Sequence, residues 1–223
     1  MRSLKDLLII IPAKERSIRL KNKNIYNVKG KKLIEYTLDL INEMGLNKNC
    51  FISTDSKKII QIVKKNKLKF ILRPKKLSNS KASTESVIIH SIKKIDPNNQ
   101  KYKWVLTLQL TSPLRSKNTL KKSFKLAMSK KYDSIISLTV NRGYFWLKMK
   151  NDRFKKYLKI ASRRQQERNN LLEETGSVYL NNIKKLIKSK SVINGRIGAV
   201  ITKKKEALDI NDINDIEILK SYL

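Results

Sequence analysis

Gln109, Thr111, Ser112 and Arg115 stand in the stretch LQLTSPLR, which leaves the apolar run WVLTLQL. An amide, two hydroxyls and a guanidinium at the end of a buried strand are groups that grip a polar ligand. A Gln in such a strand needs a partner, which is a ligand, a water or neighbouring backbone. A second set follows the first apolar run: the cations Lys14, Arg16, Arg19, Lys21 and Lys23 in IPAKERSIRLKNKNI. Several cations converging from different directions suit a triphosphate, and a solvated basic loop in a lysine-rich chain is the other reading. The loop is neither a P-loop, since no G-x-x-x-x-G-K-[ST] occurs, nor a dinucleotide fingerprint, since only Gly30 lies nearby. Arg73 ends a third run just before Pro74, as a ligand contact or a surface cation. Asp209, Asn211, Asp212 and Asp215 gather in LDINDIND, where they suit the start of a closing helix.

What is missing narrows the chemistry. One histidine, His90, provides neither a metal cluster nor a Ser-His-Asp set and reads as a structural residue on a helix. The single Cys50, beside Phe51 and Ile52, reads as a core thiol of a reducing compartment. The longest apolar run, LLIIIPA, is too short to span a membrane, and no cleavage pattern follows it, so a cytoplasmic protein is expected. The formal charge of +33 raises nucleic acid as a partner. The excess is mostly Lys and spread along the whole chain, without an arginine-rich arm or a stacking platform, so nucleic acid is not expected as the main partner. A positive field still attracts small anions such as nucleotides.

Strands and helices alternate to position these groups. Strands are expected at 5–12, around 48–55, 68–74, 103–110 and 132–140. Helices are expected near 32–45, 56–66, 83–95 and 116–130, with Ser56, Ser83 and Ser116 near their starts. That rhythm is an α/β fold with a doubly wound, mostly parallel sheet. Residues 1–223 are expected to form one domain. An insertion over about 141–175 breaks the rhythm, with a hairpin around Asn151 and Asp152 and Trp146 assigned to core packing. A strand at SVYL, a short helix, the strand IGAVIT and a closing helix complete the pattern. In such sheets ligands sit beyond the carboxyl ends of the strands, where Pro12 to Asn24, Asp55, Arg73 to Glu85 and Gln109 to Arg115 all fall.

The segments IIIPAK, KNI, KLIEYTLD, STD, LQLTSPLR, RRQ, TGSVYL and LDIN occur in that order. Together they resemble the acylneuraminate (CMP-sialic acid) cytidylyltransferases and their legionaminate and pseudaminate relatives, from about Leu8 to Leu219. The resemblance implies a Rossmann-like nucleotidyltransferase domain that joins CTP and a nine-carbon 2-keto sugar acid, releasing pyrophosphate, with Mg²⁺ as cofactor. It implies nucleotide binding by Lys14, Ser17, Lys23, Asn24, Arg73, Ala82 and Thr84. It implies sugar contacts from Gln109, Arg164, Gln165 and Tyr179, metal binding by Asp209 and Asn211, and Lys23, Gln109 and Asp209 at the reacting centre. It also implies a homodimer in which the insertion reaches the partner, with Tyr144, Phe145 and Trp146 available for packing. Departures are specific: Glu15 and Arg16 replace a glycine pair, Ile18 a frequent Lys, Leu110 a Pro, Thr175 an Asn and Asn211 an Asp. Arg16 or Arg19 could supply charge that the altered loop lacks. Two alternatives stand beside this reading: Kdo, the related eight-carbon acid, as substrate, or a catalytically weak member that binds anionic polymers.

Overall fold

In the computed structural model, residues 6–17, 19–79, 81–157, 164 and 171–223 are described. Strand β1 (Leu7–Pro12) is apolar on both faces because both are covered. Leu7, Ile9 and Ile11 face a cluster with Ile34, Leu38 and Ile41, whereas Leu8 and Ile10 face Ile88 and Ile92. A two-stranded ribbon, β2 (Asn27–Val28) with β3 (Lys31–Lys32), follows the basic loop. It leads into α1 (Leu33–Glu43), whose first turn is closed by Glu35 accepting from the Lys32 N–H.

Then come β4 (Cys50–Thr54), α2 (Lys57–Lys65), β5 (Lys69–Leu72), α3 (Thr84–Ile95), β6 (Trp104–Leu108) and α4 (Lys117–Met128). Ser83 and Ser116 cap α3 and α4 by accepting from Ser86 N and Thr119 N, each at 3.1 Å. Ser56 stands at the expected N-cap of α2, but its side chain makes no cap bond; its hydroxyl goes to Glu15 Oε1 at 3.2 Å. The expected fourth strand stops at Leu108, so Gln109 lies just past its end rather than inside it.

Next come β7 (Ser134–Asn141), the β8 (Trp146–Lys148) and β9 (Phe154–Lys156) hairpin, β10 (Leu171–Asn182), α5 (Ile183–Ser189), β11 (Ile197–Thr202) and α6 (Ile213–Tyr222). The hairpin turns at Asn151 and Asp152, both at positive φ, as expected. Trp146 is 53 % exposed on β8, which corrects its assignment to the core. Tyr144, Phe145, Met149, Phe154 and Tyr157 are also exposed there.

The sheet runs β11-β7-β10-β6-β1-β4-β5. Every strand pair is parallel except those of β10, which lies antiparallel between β6 and β7. Strand order reverses at β1: β4 and β5 lie on one side of it and β6 on the other. The carboxyl ends of β1 and β6 therefore flank the crevice where such sheets take a ligand. A third apolar cluster, Val28, Leu33, Ile210, Ile216 and Leu219, packs the ribbon against α6. Ile210 of that cluster is tied to residues beside the crevice, its N–H on the Thr111 carbonyl and its carbonyl on Lys23. Among the described residues no helix is long and apolar enough to cross a membrane.

Candidate active site

A cavity of about 190 Å³ opens at the reversal point. It is lined by Lys14, Ser17, Lys23, Asn24, Arg73, Ala82, Thr84 and Gln109, with Pro12, Leu77, Asn79, Ser83, Val87, Leu110 and Thr111. The eight residues named first are the whole set read from the sequence as nucleotide contacts, together with Gln109. They come from four separate segments, brought together by the ends of β1, β5 and β6 and the start of α3.

Local bonds fix the loop after β1. Asn24 is buried and donates from Nδ2 to the Lys14 carbonyl at 2.9 Å, folding the loop back on itself. The Glu15 N–H donates to Asp55 Oδ1 at 2.8 Å, tying the loop to the end of β4. Glu15 thus bridges to β4 through its backbone and through Ser56. Lys23 reaches across the chain to donate to the Ile210 carbonyl at 2.7 Å. Burial lowers the Lys23 pKa; Asp209 opposes that shift, and Arg19 and Lys14 add to it as neighbouring cations.

Arg73 is buried at the end of β5, donating from Nη2 to the Ser53 carbonyl at 2.7 Å and from Nε to Ser53 Oγ at 3.4 Å. Burial lowers its pKa while Asp55 opposes. Asn79 accepts from the N–H groups of Lys81 and Ala82, at 2.8 and 2.9 Å, and so shapes the floor between β5 and α3. The sequence reading did not single out Asn79, although an Asn in a Ser-rich stretch signals such a turn.

Gln109 faces Gly176 of β10, where an added Cβ would stand 3.7 Å from Oε1. Its carbonyl accepts from Arg115 Nη2 at 2.8 Å. Arg115 Nε donates to the Ser177 carbonyl at 2.8 Å and to Ser177 Oγ at 3.1 Å. The guanidinium is buried, which pushes its pKa down to about 9 against the opposing pull of Glu206, and it stays charged at neutral pH. Arg115 therefore pins the turn after β6 to β10, and the Ile210 N–H completes the join at the Thr111 carbonyl, 2.8 Å.

The remaining sequence candidates lie around this cavity or apart from it. Asp209 is close enough to Lys23 to raise its pKa, and its Oδ2 accepts from Asn211 Nδ2 at 2.8 Å. The Asn211 Oδ1 accepts from Arg19. Asp212 caps α6, and Asp215 accepts from the N–H groups of Asn211 and Asp212, a helix-start role. Tyr179 is buried in β10; its hydroxyl donates to Glu174, and burial and Glu174 raise its pKa. Arg164 is exposed and is not in the described lining of the cavity. Gln165 lies outside the described residues. Thr175 pairs with Ser137 of β7 at 2.6 Å in the bulge that interrupts the β7–β10 ladder. His90 sits on α3, and Cys50 is buried with its thiol pushed up to about 12 by burial. Among the described residues there is no group of three or more His, Cys, Asp or Glu arranged to hold a metal ion.

A mostly parallel α/β sheet with a cationic cavity at its reversal point defines a nucleotide-handling enzyme. The cytidylyltransferase family matches residues 8–193, and the chain belongs to that family: it is a CTP-dependent nucleotidyltransferase of the acylneuraminate cytidylyltransferase type. It is 26 % identical over 219 residues to the pseudaminic acid cytidylyltransferase of Campylobacter jejuni, covering 96 % of this chain and 94 % of that one. It is also 26 % identical over 225 residues to the N-acylneuraminate cytidylyltransferase of Escherichia coli O18:K1:H7, covering 95 % of this chain and 51 % of that longer one. Its fold is similar to a CMP-2-keto-3-deoxy-manno-octonic acid synthetase complexed with CTP, at a TM-score of 0.68 and 14 % identity, covering 97 % of each chain. The 4-diphosphocytidyl-2C-methyl-D-erythritol synthase of Anaerococcus prevotii gives the same TM-score over 98 % of each chain.

Proposed function

We propose that this enzyme activates a nine-carbon 2-keto sugar acid of the sialic, legionaminic or pseudaminic type. The anomeric hydroxyl oxygen attacks the α-phosphorus of CTP, the bond to the β-phosphate oxygen breaks, and pyrophosphate and a proton leave. The observation that carries this reading is the convergence of Lys14, Ser17, Lys23, Asn24, Arg73, Ala82, Thr84 and Gln109 on one cavity. Lys14 and Lys23 supply charge for the triphosphate, with the Ser17 hydroxyl and the Asn24-stabilised loop beside them. Ala82 has already given its N–H to Asn79, so its carbonyl is the group left to accept from the cytosine amino group, which uracil lacks. Arg73, fixed on Ser53, stands at the base end with Thr84, and Gln109 stands at the reacting end.

Mg²⁺ commonly takes one or two carboxylates with phosphate oxygens and water, and it offsets phosphate charge when bound. Asp209 beside Lys23 fits that pattern as a single carboxylate. Asn211, which the resemblance offers as a second ligand, has its oxygen on Arg19, so Asp209 alone is proposed. Arg164, Gln165 and Tyr179 are proposed for the sugar side. The exposed aromatic hairpin β8–β9 is proposed as the contact of a homodimer, and the enzyme as cytoplasmic. Similarity to the Campylobacter jejuni enzyme along nearly the full length of both chains supports a nine-carbon acid over the eight-carbon one.

The test is pyrophosphate release from CTP and Mg²⁺ with sialic, legionaminic, pseudaminic and Kdo acids in parallel. Turnover with one of the first three is expected. Turnover with Kdo alone, or with none of the four, sinks the substrate assignment.

A further inference from the structure

One edge of the sheet carries positive charge that no acid of its own answers. Residues 56–84, which supply α2, β5 and the start of α3, hold nine lysines and one arginine but no Asp or Glu. The arginine, Arg73, is buried on Ser53 and belongs to the cavity. All nine lysines are exposed. Among the described residues none of the nine is in an ion pair; the pairs formed by Lys31, Lys103, Lys117, Lys148, Arg196 and Lys220 all lie elsewhere. Exposed cations without an internal counter-charge leave their field for an external anion.

Apolar side chains stand among these lysines. β5 ends the sheet, so it pairs with β4 on one side and with no described strand on the other. Its side chains alternate between the two faces. Ile71 turns with Phe51 to the cluster under α3. Phe70 and Leu72 turn to the α2 face, level with Ile52 and Thr54 of β4. Ile52 is buried there with Ile59, Ile62 and Val63 of α2, but Phe70 and Leu72 are 36 % and 66 % exposed. Lys64 Nζ lies 5.8 Å from the centre of the Phe70 ring, which sets the polar flank of α2 beside the strand. Lys57 stands two turns earlier on the same stripe of that helix.

We propose that this edge, β5 with the lysine flank of α2, is a docking surface for an anionic lipid bilayer. Phe70 and Leu72 enter among the headgroups while Lys57, Lys64 and their neighbours meet the lipid phosphates. Charge complementarity selects an anionic partner, and the apolar pair selects lipid over nucleic acid. Nucleic acid is gripped by arginine forks and by stacked aromatic rings. Here the one arginine is buried, and a leucine has no stacking face. An apolar pair ringed by lysines matches a headgroup layer, which sets phosphates above hydrocarbon. The contact lies on the bilayer without crossing it. None of Lys57, Lys64, Phe70 and Leu72 lines the cavity, so the surface is independent of the CTP reading.

The test is co-sedimentation of the full chain with vesicles of phosphatidylcholine, alone or mixed with phosphatidylglycerol. Binding is expected to the mixed vesicles only, and to weaken as salt is raised. Lys57→Gln combined with Lys64→Gln is expected to weaken it about 25-fold, at about fivefold per lysine. Leu72→Ser is expected to weaken it about tenfold, with an unchanged melting midpoint because the side chain is already exposed. Lys184→Gln combined with Lys188→Gln makes the same charge change on α5, which packs near β10, four strands from β5. That pair should shift binding by less than about twofold, since it lies beyond the reach of screened charge. Equal losses from the two lysine pairs would show that net charge alone acts, and overturn the surface. Tighter binding to poly(U) RNA, with Leu72→Ser without effect, overturns lipid in favour of nucleic acid. A smaller assembly on Leu72→Ser, measured by analytical ultracentrifugation without lipid, assigns the edge to a second copy and overturns the proposal, as does wild-type protein that ignores the mixed vesicles.

Discussion

Replacing Arg115 with Met keeps most of the side-chain volume and removes all donors from one buried junction. The Ser177 carbonyl and hydroxyl lose this donor, and the part-buried Gln109 carbonyl keeps only the longer bond from the Ser112 N–H at 3.3 Å. Leaving a buried acceptor without its donor costs about 1–3 kcal/mol each. One orphaned carbonyl and one weakened one give roughly 2–4 kcal/mol, since the hydroxyl can turn to another acceptor. The substitution also removes a guanidinium that was costly to bury, with Nη1 unpartnered, so a net loss of about 2 kcal/mol is expected. For a chain of 223 residues, at roughly 2–4 °C per kcal/mol, the melting midpoint should fall by about 4–8 °C. Urea denaturation with a fixed slope measures the energy, and CTP titration of the folded variant measures the site. Arg115→Lys should lie between, because an ammonium cannot span both carbonyls as a fork does. An Arg115→Met protein within about 1 kcal/mol of wild type would refute the claim that this residue joins β6 to β10.

Three further outcomes follow from the geometry. The Lys23 pKa lies below that of an ordinary lysine, chiefly through burial, and only its charged form attracts phosphate. The kcat/KM for CTP should therefore fall as pH rises through that lowered pKa, and Lys23→Arg should move the alkaline limb upward; a limb unmoved in that variant rules Lys23 out as its source. Cys50, its thiol pushed up to about 12 by burial, should react with a thiol reagent at pH 8 only after denaturant is added. Rapid labelling of the native protein would contradict its placement in the core. Gly195 (φ +58°) and Gly45 (φ +66°) share a left-handed backbone, but a Cβ at Gly195 would lie 2.6 Å from Asp133 Oδ2, and one at Gly45 meets open space. Gly45→Ala should cost about 1 kcal/mol and Gly195→Ala about 3 kcal/mol, as measured by denaturation. Equal costs would show that the crowding at Asp133 is relieved by rearrangement.

The alternation of apolar runs with helical periodicity carries the α/β class, because a strand buried on both faces has to be continuously apolar. Placing polar residues at strand ends was enough to nominate Gln109 and the loop after β1, and the resemblance supplied Arg73, Ala82 and Thr84. What the sequence hid depends on distant partners. The bond from Lys23 to the Ile210 carbonyl spans 187 positions, and no local pattern announces it. Only SVYL of β10 was visible, since Leu172, Glu173 and Glu174 face solvent and dilute the apolar signal. The antiparallel direction of β10 is likewise set by where its partners lie. Trp146 was misplaced because bulk and apolarity were equated with burial, whereas a hairpin outside the main sheet leaves large side chains uncovered.

The position of β10 also sets an order of events during synthesis. Its neighbours β6 and β7 are not paired with each other, so β7 has no sheet to join until residues 171–182 have left the ribosome. β10 ends about 40 residues after β7 does, which at ~5–20 residues per second is roughly 2–8 s. Meanwhile β1, β4, β5 and β6 can already assemble their parallel half. The run SIISLTV in β7, apolar and rich in β-branched residues, waits unpaired through that interval. It is the part of the nascent chain most open to pairing with a neighbouring copy, and any lesion that delays β10 lengthens its exposure.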